Sequence, residues 1–351
     1  MNGPNRNMDW HLPGVGPHWR DKKREPEKAM SYGIGIRLLA AVWVLVTSNI
    51  ALPAAAKYPE RPVTIVVSVA PGAGPDVIAR VLADRLTHLW KQQVVVLNRP
   101  GGGGILAAQA AAGANPDGHT LYMPVSSAFT VVPEGKTRWP VDLATDFAML
   151  GLIGDQPMTI AVVPSLGVTS MSEFVALAKQ RPGEILYGAT RLSIPHMTAE
   201  LLQMRAGIKL GYVPTVGAAK VIQDIMSGNL SVVVDSIPGM AGALQNGAVR
   251  ALAVASDRKL ENFPDVPLVS ETLPNVDAKG WFVLMAPAKT PEPTLTQLRD
   301  DLNTVLRDDE LKRKFEAVGT YPRPLSLAQT LAYIKAEQDL WRPVVRQIGV
   351  E

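Results

Sequence analysis

The sequence contains no cysteine among its 351 residues. The chain therefore has no disulfide framework, no thiolate zinc site, no cysteine nucleophile and no cysteine for a lipoprotein anchor. Its length is sufficient for two domains that each bury a core.

The chain beyond residue 56 also lacks a net charge. Residues 1–56 hold seven Lys/Arg and four Asp/Glu, which leaves 28 basic and 28 acidic residues in the remainder. A neutral body offers no electrostatic attraction to nucleic acid or to an anionic membrane surface. We therefore expect no nucleic-acid partner.

Motifs of catalysis and cofactor binding are missing as well. There is no G-x-S-x-G, no H-E-x-x-H and no P-loop, and no carboxylates are evidently paired. Gly102-x-Gly104-x-x-Ala107 matches the dinucleotide fingerprint loosely, but no acidic residue follows at the required distance. The sequence therefore predicts no metal site, no cofactor and no enzymatic activity.

The N-terminal region has the pattern of an export signal. Arg37 precedes the apolar run 38–46, and Ala54–Ala56 supplies an A-x-A cleavage pattern, so we expect cleavage near Ala56. A membrane anchor is the alternative, but the run is short for a span and polar residues follow it at 47–49. Met30 would make a better signal start than Met1, and we hypothesise that translation begins there.

The stretch 63–80 organises the remainder. Residues 63–69 are mostly β-branched and apolar, as in a buried strand, and residues 71–74 form a turn with two glycines. Pro75 is suited to the first position of a helix, whose apolar residues recur at helical spacing from Val77 to Leu89. Such a strand, loop and helix leave free N–H groups that can bind an anion.

The chain from residue 57 onward alternates strands and helices, which predicts an α/β fold with a mainly parallel sheet. Polar or glycine-rich loops follow the strands, where open α/β sheets bind ligands. His196 is the one histidine near such a loop, and a structural role is its alternative. Arg191 lies among small residues at a strand end and could clamp a carboxylate, or be a solvated loop arginine. The expected strands and helices include 94–97, 105–112, 120–125, 147–153, 160–163, 170–180, 185–188, 195–204, 231–235, 251–255, 281–286, 292–306, 310–318 and 327–348, and the loops are 70–76, 101–104, 125–128, 189–193, 215–219 and 235–237.

Several motifs together resemble one family. KYPERPV at 57–63 is followed in order by APGAGPDVIAR, NRPGGGG, PDGHTL, ILYGAT, GNLSVVVD, VRALAVAS and DVPLVSE. This series resembles the Bug or TctC-like family, the periplasmic receptors of tripartite tricarboxylate transporters, and it covers essentially the whole mature chain.

The resemblance implies a two-domain periplasmic binding protein (type 2-like, a Venus flytrap) with mostly parallel sheets and crossover hinge strands. Domain 1 would comprise 57–158 and 281–351, and domain 2 would comprise 159–280. It implies a monomeric periplasmic protein that captures a small organic acid for the membrane subunits of a transporter. The alternatives are a secreted enzyme that acts on a small organic acid, and an orphan receptor that signals through a sensor protein.

The resemblance and the strand-end loops together predict the ligand-binding residues. In the family pattern one ligand carboxylate is held by the first two loops, and the second domain distinguishes ligands. Ala73 replaces a usual glycine and Pro75 a usual threonine, so one N–H and one hydroxyl are missing. In the first domain the predicted residues are Ala70, Pro71, Gly72, Ala73, Gly74, Asp76, Gly101, Gly102, Gly103, Gly104, Ser126 and Ser127, and in the second they are Thr190, Arg191, Ser193, His196, Thr215, Gly217, Ala218 and Asp235.

Overall fold

A computed structural model of the protein describes residues 58–135, 139–215 and 217–349. The predicted signal peptide, its cleavage position and the proposed start at Met30 lie outside these residues. Within the described ranges, every helix is too short or too polar to span a membrane.

In the described part of the chain, ten strands form one mixed sheet, in the order β2-β1-β3-β9-β4-β7-β5-β6, and β8 and β10 also pair with β4. The strands are β1 Val63–Val67, β2 Val94–Asn98, β3 Thr120–Met123, β4 Phe147–Val162, β5 Leu186–Ala189, β6 Gly211–Pro214, β7 Val232–Asp235, β8 Arg250–Ala255, β9 Lys279–Pro287 and β10 Tyr321–Pro322.

Helices cover the sheet and connect most of the strands. They are α1 Gly74–Trp90, α2 Ile105–Ala112, α3 Ser127–Thr130, α4 Met171–Gln180, α5 Ile194–Ala206, α6 Ala218–Met226, α7 Ala241–Gln245, α8 Glu292–Leu306, α9 Asp309–Ala317 and α10 Leu327–Ile348. Helix α1 begins at Gly74, one residue before the proline that was expected to open it.

Strand β4 connects the two halves of the sheet. It pairs with β9 along its first part and with β7 and β8 along its last part. The prediction of two separate segments here, 147–153 and 160–163, is wrong. Gly154 interrupts the apolar pattern because a side chain there would lie 2.6 Å from the Tyr321 carbonyl oxygen of β10.

The pairing directions differ between the outer and central strands. The ladders β1–β2, β1–β3, β5–β6 and β5–β7 are parallel. The ladders of β4 with β7, β8, β9 and β10, and of β3 with β9, are antiparallel. The expectation of mostly parallel sheets is therefore correct for the outer strands and needs correction at the centre, because β4 and β9 pass between the halves in opposite directions.

Each half buries its own core. In the first half, Ile65 of β1 packs with Ile78, Leu82 and Leu86 of α1, and all four are at most 1% exposed. Leu89, expected on the same apolar stripe, is instead 41% exposed. In the second half, residues of β5, α4 and α5 pack together with the end of α10. The domain boundaries given above remain a prediction.

Candidate functional site

A cleft of about 450 Å³ lies between the two halves of the sheet. The loops after β1 and β3 form one side, the loops after β5, β6 and β7 form the other, and β4 and β9 form its base. The predicted residues that line it are Ala73, Ser126, Ser127, Thr190, Ser193, Gly217, Ala218 and Asp235.

The N-terminus of α1 opens onto this cleft from the first half. Ala73 is the N-cap residue, and no side chain caps the helix. Pro75 occupies the second helical position and has no N–H of its own. The Ala73 N–H donates to the Ala70 carbonyl, so the N–H groups left for a ligand in the first turn of this 17-residue helix are those of Gly74 and Asp76. They lie beside the lining residues Ala73 and Pro75, together with the positive end of the helix dipole.

Asp76 shapes the loop that precedes α1. Its carboxylate accepts hydrogen bonds from the Gly72 N–H at 2.8 Å, from Arg80 Nε at 3.0 Å and from Asn98 Nδ2 at 2.9 Å. Burial opposes ionisation of this group, but these bonds outweigh it and hold the pKa of Asp76 below its ordinary value. Asp76 therefore holds the loop in place, and the Gly72 N–H is already occupied.

The second glycine loop lies behind this terminus and outside the lining of the cleft. Gly101, Gly102, Gly103 and Gly104 all have positive φ, between 57° and 123°. A side chain at Gly104 would lie 3.1 Å from Trp139 Cη2 and 3.6 Å from Ser68 Cβ. Backbone conformation and close packing therefore account for these glycines.

Two further helices begin at the cleft from the second half. Ser193 caps α5 by accepting from the His196 N–H. Gly217 precedes α6, which has no side-chain cap, and its N–H donates to Thr190 Oγ1 at 3.0 Å. The uncapped start of α6 thus lies opposite that of α1.

His196 and Arg191 were predicted to bind ligand, and the structure places neither among the lining residues. His196 is 2% exposed, stacks on Tyr212 with ring centroids 4.2 Å apart, and its Nδ1 accepts from the Leu192 N–H at 3.0 Å. Burial lowers its pKa. Arg191 donates to the carbonyl oxygens of Ile348, the last residue of α10, at 3.2 Å and of Gly349 at 2.7 Å.

Among the described residues that line the cleft, Asp235 is the ionisable one. Its Oδ1 accepts from the Ser236 N–H at 2.7 Å and from Ser236 Oγ at 3.3 Å. Burial raises the pKa of this carboxyl to about 6, against the opposing effect of the Ser236 bonds. Gly239 leaves room for the carboxylate, since a Cβ at Gly239 would lie 2.7 Å from Oδ1.

The remaining predicted residues lie near the cleft but do not line it. Thr215 is 9% exposed, and its Oγ1 has no hydrogen-bond partner among the described residues. The others that do not line it are Ala70, Pro71, Gly72, Gly74 and Asp76.

The sequence did not indicate the base of the cleft or most of its apolar wall. Gln156 of β4 and Gly280 and Phe282 of β9 line it. Gln156 Nε2 donates to the Val318 carbonyl at 3.1 Å, and this bond holds the Gln156 side chain in position. The one available signal was the polar pair Asp155 and Gln156 within a largely apolar run. The other lining residues that were not predicted are Val69, Pro75, Val125, Met158, Gly188, Ala189, Ile194, Pro195, Val221 and Val234.

Two other clefts, of about 470 and 430 Å³, lie on the outer surface around Arg307 and Pro324. Neither contains a predicted site residue. Among the residues that the structure describes, no group of three or more His, Asp or Glu is arranged to hold a metal ion.

Comparisons with known proteins agree on one family. A model described as "Tripartite tricarboxylate transporter family receptor" matches residues 78–350. The chain is 33% identical over 320 residues to Protein BugT of Bordetella pertussis, which covers 90% of this chain and 98% of BugT. A structure of an R. palustris protein with adipate matches with a TM-score of 0.74 and 30% identity, covering 84% of this chain and 99% of that one. The periplasmic binding protein BugD matches with a TM-score of 0.70 and 26% identity, covering 84% and 99%.

Proposed function

Because this chain belongs to the receptor family of tripartite tricarboxylate transporters, we propose that it captures a small carboxylate in the cleft between its halves and presents it to the membrane subunits of such a transporter. Membership confirms the family predicted from the sequence motifs. The structural matches confirm the fold class of a periplasmic binding protein.

The observation that carries this proposal is the pair of uncapped helix N-termini in one cleft. Helix α1 has Ala73 as its N-cap residue and α6 has Gly217, and neither has a side-chain cap. Free N–H groups and the positive ends of two helix dipoles favour an anion, by about 0.3–1 kcal/mol each when exposed and up to about 2 kcal/mol when partly buried. The R. palustris relative with adipate in its structure supports a carboxylate as that anion.

Two strands provide the hinge in this proposal. Strands β4 and β9 pair as far as Pro157 and Lys279, beyond which β4 continues into the second half, and Gln156 and Gly280 beside this point line the cleft. We propose that the domains are 57–158 with 281–351, and 159–280, with the end of α10 packed across onto the second domain, and that they close on the ligand about these strands. Closure would remove water from the cleft and strengthen the bonds from the N–H groups.

We also propose that the chain is exported to the periplasm, where BugD acts as a binding protein by its description. The apolar run at 38–46 and the A-x-A pattern at 54–56 support this. Sequencing the N-terminus of the secreted protein tests it, and a product that begins at Met1 or Met30 would contradict cleavage near Ala56.

The cleft supports binding rather than catalysis. Ser126, Ser127 and Ser193 line it, but none of its described lining residues is a histidine or lysine that could activate a serine. The nearby His196 is engaged by the Leu192 N–H. We therefore propose a receptor without enzymatic activity. Turnover of a candidate acid by the purified protein would contradict this.

The test is a thermal-shift and calorimetric screen of residues 57–351 against adipate, malate, benzoate and glutamate. A ligand at 100 times its Kd stabilises the folded state by about 2.7 kcal/mol. We expect at least one acid to bind with 1:1 stoichiometry and to reduce the radius of gyration. If none of these acids raises the melting temperature, the carboxylate assignment is wrong.

Delivery to a transporter requires a separate test. Uptake of the bound acid should depend on both this protein and the membrane subunits. Uptake that is unchanged after deletion of the membrane subunits, with transcription that still responds to the acid, would instead support a receptor that signals through a sensor partner.

A further inference from the structure

Asp235 is the only ionisable side chain among the described residues that line the cleft. The other lining residues are neutral, and many are apolar, such as Val125, Met158 and Phe282. Arg191, which follows the lining residue Thr190, bonds instead to the carbonyl oxygens of Ile348 and Gly349. Among the described lining residues, an anion that enters this cleft therefore meets a carboxyl group and no basic side chain.

Charged side chains on the elements that pack around Asp235 form ion pairs or hydrogen bonds with other residues. Strand β7 pairs with β4 and β5 and packs against α5 and α6. On α6, Lys220 pairs with Asp224. On β4, Asp155 lies 2.5 Å from Arg323 Nε, on the side of β10.

The groups of β5 and α5 are occupied in the same way. Glu200 accepts from the Tyr187 hydroxyl of β5 and from Gln203 Nε2. His196 accepts from the Leu192 N–H, and Arg205 is exposed at the end of α5. None of these groups lines the cleft, so none is placed there to neutralise Asp235 or its ligand.

We propose that Asp235 is protonated in the ligand-bound state and donates a hydrogen bond to the captured anion, so that capture of the acid takes up one proton from solvent. This inference rests on the proposed function, since it requires an anionic ligand. The proton returns to solvent when the ligand leaves. Asp235 thereby becomes the residue that sets how affinity depends on pH.

The local geometry supports a neutral carboxyl that donates into the cleft. Both bonds from Ser236 go to Oδ1, so Oδ2 is the oxygen left to carry the proton. The uncapped N-terminus of α6, in the same half, favours a negative ligand group at this end. A protonated carboxyl and an N–H terminus both donate, so they can bind the same acceptor.

Burial already raises the pKa of Asp235 to about 6 in the free protein. The folded protein therefore carries the proton below about pH 6 and loses most of it by pH 7–8. A bound anion raises this pKa further. For one linked proton, Kd should be flat below about pH 6 and should rise by about tenfold for each pH unit above it.

The experiment measures Kd from pH 5.5 to 8 with the tightest-binding acid among adipate, malate, benzoate and glutamate. Calorimetry at pH 7.5 in phosphate and in Tris buffer gives the number of protons taken up, because these buffers differ in ionisation enthalpy. We expect close to one proton for the wild type. A Kd that is constant over this range, with no proton uptake, would overturn the proposal while leaving carboxylate capture intact. Absence of binding by any acid at every pH would instead contradict the proposed function itself.

Three variants separate the role of Asp235 from that of charge in general. Asp235→Asn keeps a donor without an ionisable proton, and it should bind with a pH-independent Kd and exceed the wild-type affinity at pH 8. Ser236→Ala removes the hydroxyl bond that favours the ionised form, so the rise in Kd should begin at higher pH. The matched control is Asp265→Asn, which removes an exposed carboxylate that does not line the cleft and should retain the wild-type profile.

These variants also guard against a folding defect. If Asp235→Asn fails to fold, Ser236→Ala still tests the proposal through its shifted profile. An Asp235→Asn protein that melts like the wild type but retains the pH dependence of Kd would assign that dependence to another group, and the proposal would be wrong.

Discussion

Replacement of Ala73 by aspartate tests whether the N-terminus of α1 binds the ligand carboxylate, without destabilising the fold. Ala73 is the N-cap residue of α1, with φ −68° and ψ 155°, a conformation that suits a capping side chain. Pro75 has no N–H, so the new carboxylate would accept from the Asp76 N–H at the third helical position. The substitution thus occupies the groups proposed to bind ligand.

The two expected effects have opposite signs. A capping aspartate stabilises a helix by about 1 kcal/mol, so the melting temperature should rise by a few degrees. A ligand carboxylate about 4 Å from the new charge would be repelled by about 4 kcal/mol at an effective dielectric constant of about 20. Since about 1.4 kcal/mol is a factor of ten, the affinity should fall by about three orders of magnitude.

Pro291→Asp is the matched control. Pro291 is the N-cap residue of α8, which also lacks a side-chain cap and has a proline at its second position. It does not line the cleft. Thermal melts and calorimetric titrations of both variants should show Ala73→Asp losing affinity and Pro291→Asp keeping it. If the Kd of Ala73→Asp lies within about threefold of the wild-type Kd, the N-terminus of α1 does not bind the ligand carboxylate.

Two further changes test parts of the structure away from the N-terminus of α1. Arg191→Ala should leave Kd unchanged and lower the free energy of unfolding by about 1 kcal/mol, since the side chain bonds to the carbonyl oxygens of Ile348 and Gly349. If the variant instead loses affinity for diacids only, Arg191 does bind a second ligand carboxylate, as the sequence predicted. Burial raises the pKa of Glu337, which accepts from the indoles of Trp281 and Trp341, from 4.5 to about 7. Its contribution to stability is therefore fully present below about pH 4.5 and is lost as pH rises through about 7. Glu337→Gln should remove about 3 kcal/mol of this pH dependence in urea unfolding between pH 4.5 and 8, and an unchanged profile would refute it.

Local sequence signals predicted most elements correctly. Helices α2, α8 and α10 begin and end at the expected residues, because the residue types that define them are local in sequence, as is the Ser326 cap of α10. The path of β4 was missed. Gly154 and Pro157 resemble a chain break, and the continuous strand depends on ladders with β9 and β10, which are distant in sequence.

In the predicted site, too, the positions fixed by local sequence were placed correctly and those that depend on distant contacts were not. Small-residue loops at strand ends were sufficient to place Ala73, Ser126, Thr190 and Gly217 at a common cleft, because the carboxyl ends of parallel strands meet at one edge. Arg191 has no such constraint. A long side chain on a loop bonds to whatever acceptor the fold brings near, and here that is the end of α10.

The sequence by itself determined the family, the α/β class and the loops from which a binding cleft is built, since these depend on residue types at fixed spacing. Only the tertiary structure decided which of those loops meet and which charges accompany them. It places the uncapped start of α1 opposite that of α6, turns Arg191 away and leaves Asp235 as the one ionisable group among the described lining residues. Burial and the distance between charged atoms set these electrostatic properties, and both arise when the two halves pack along β4 and β9.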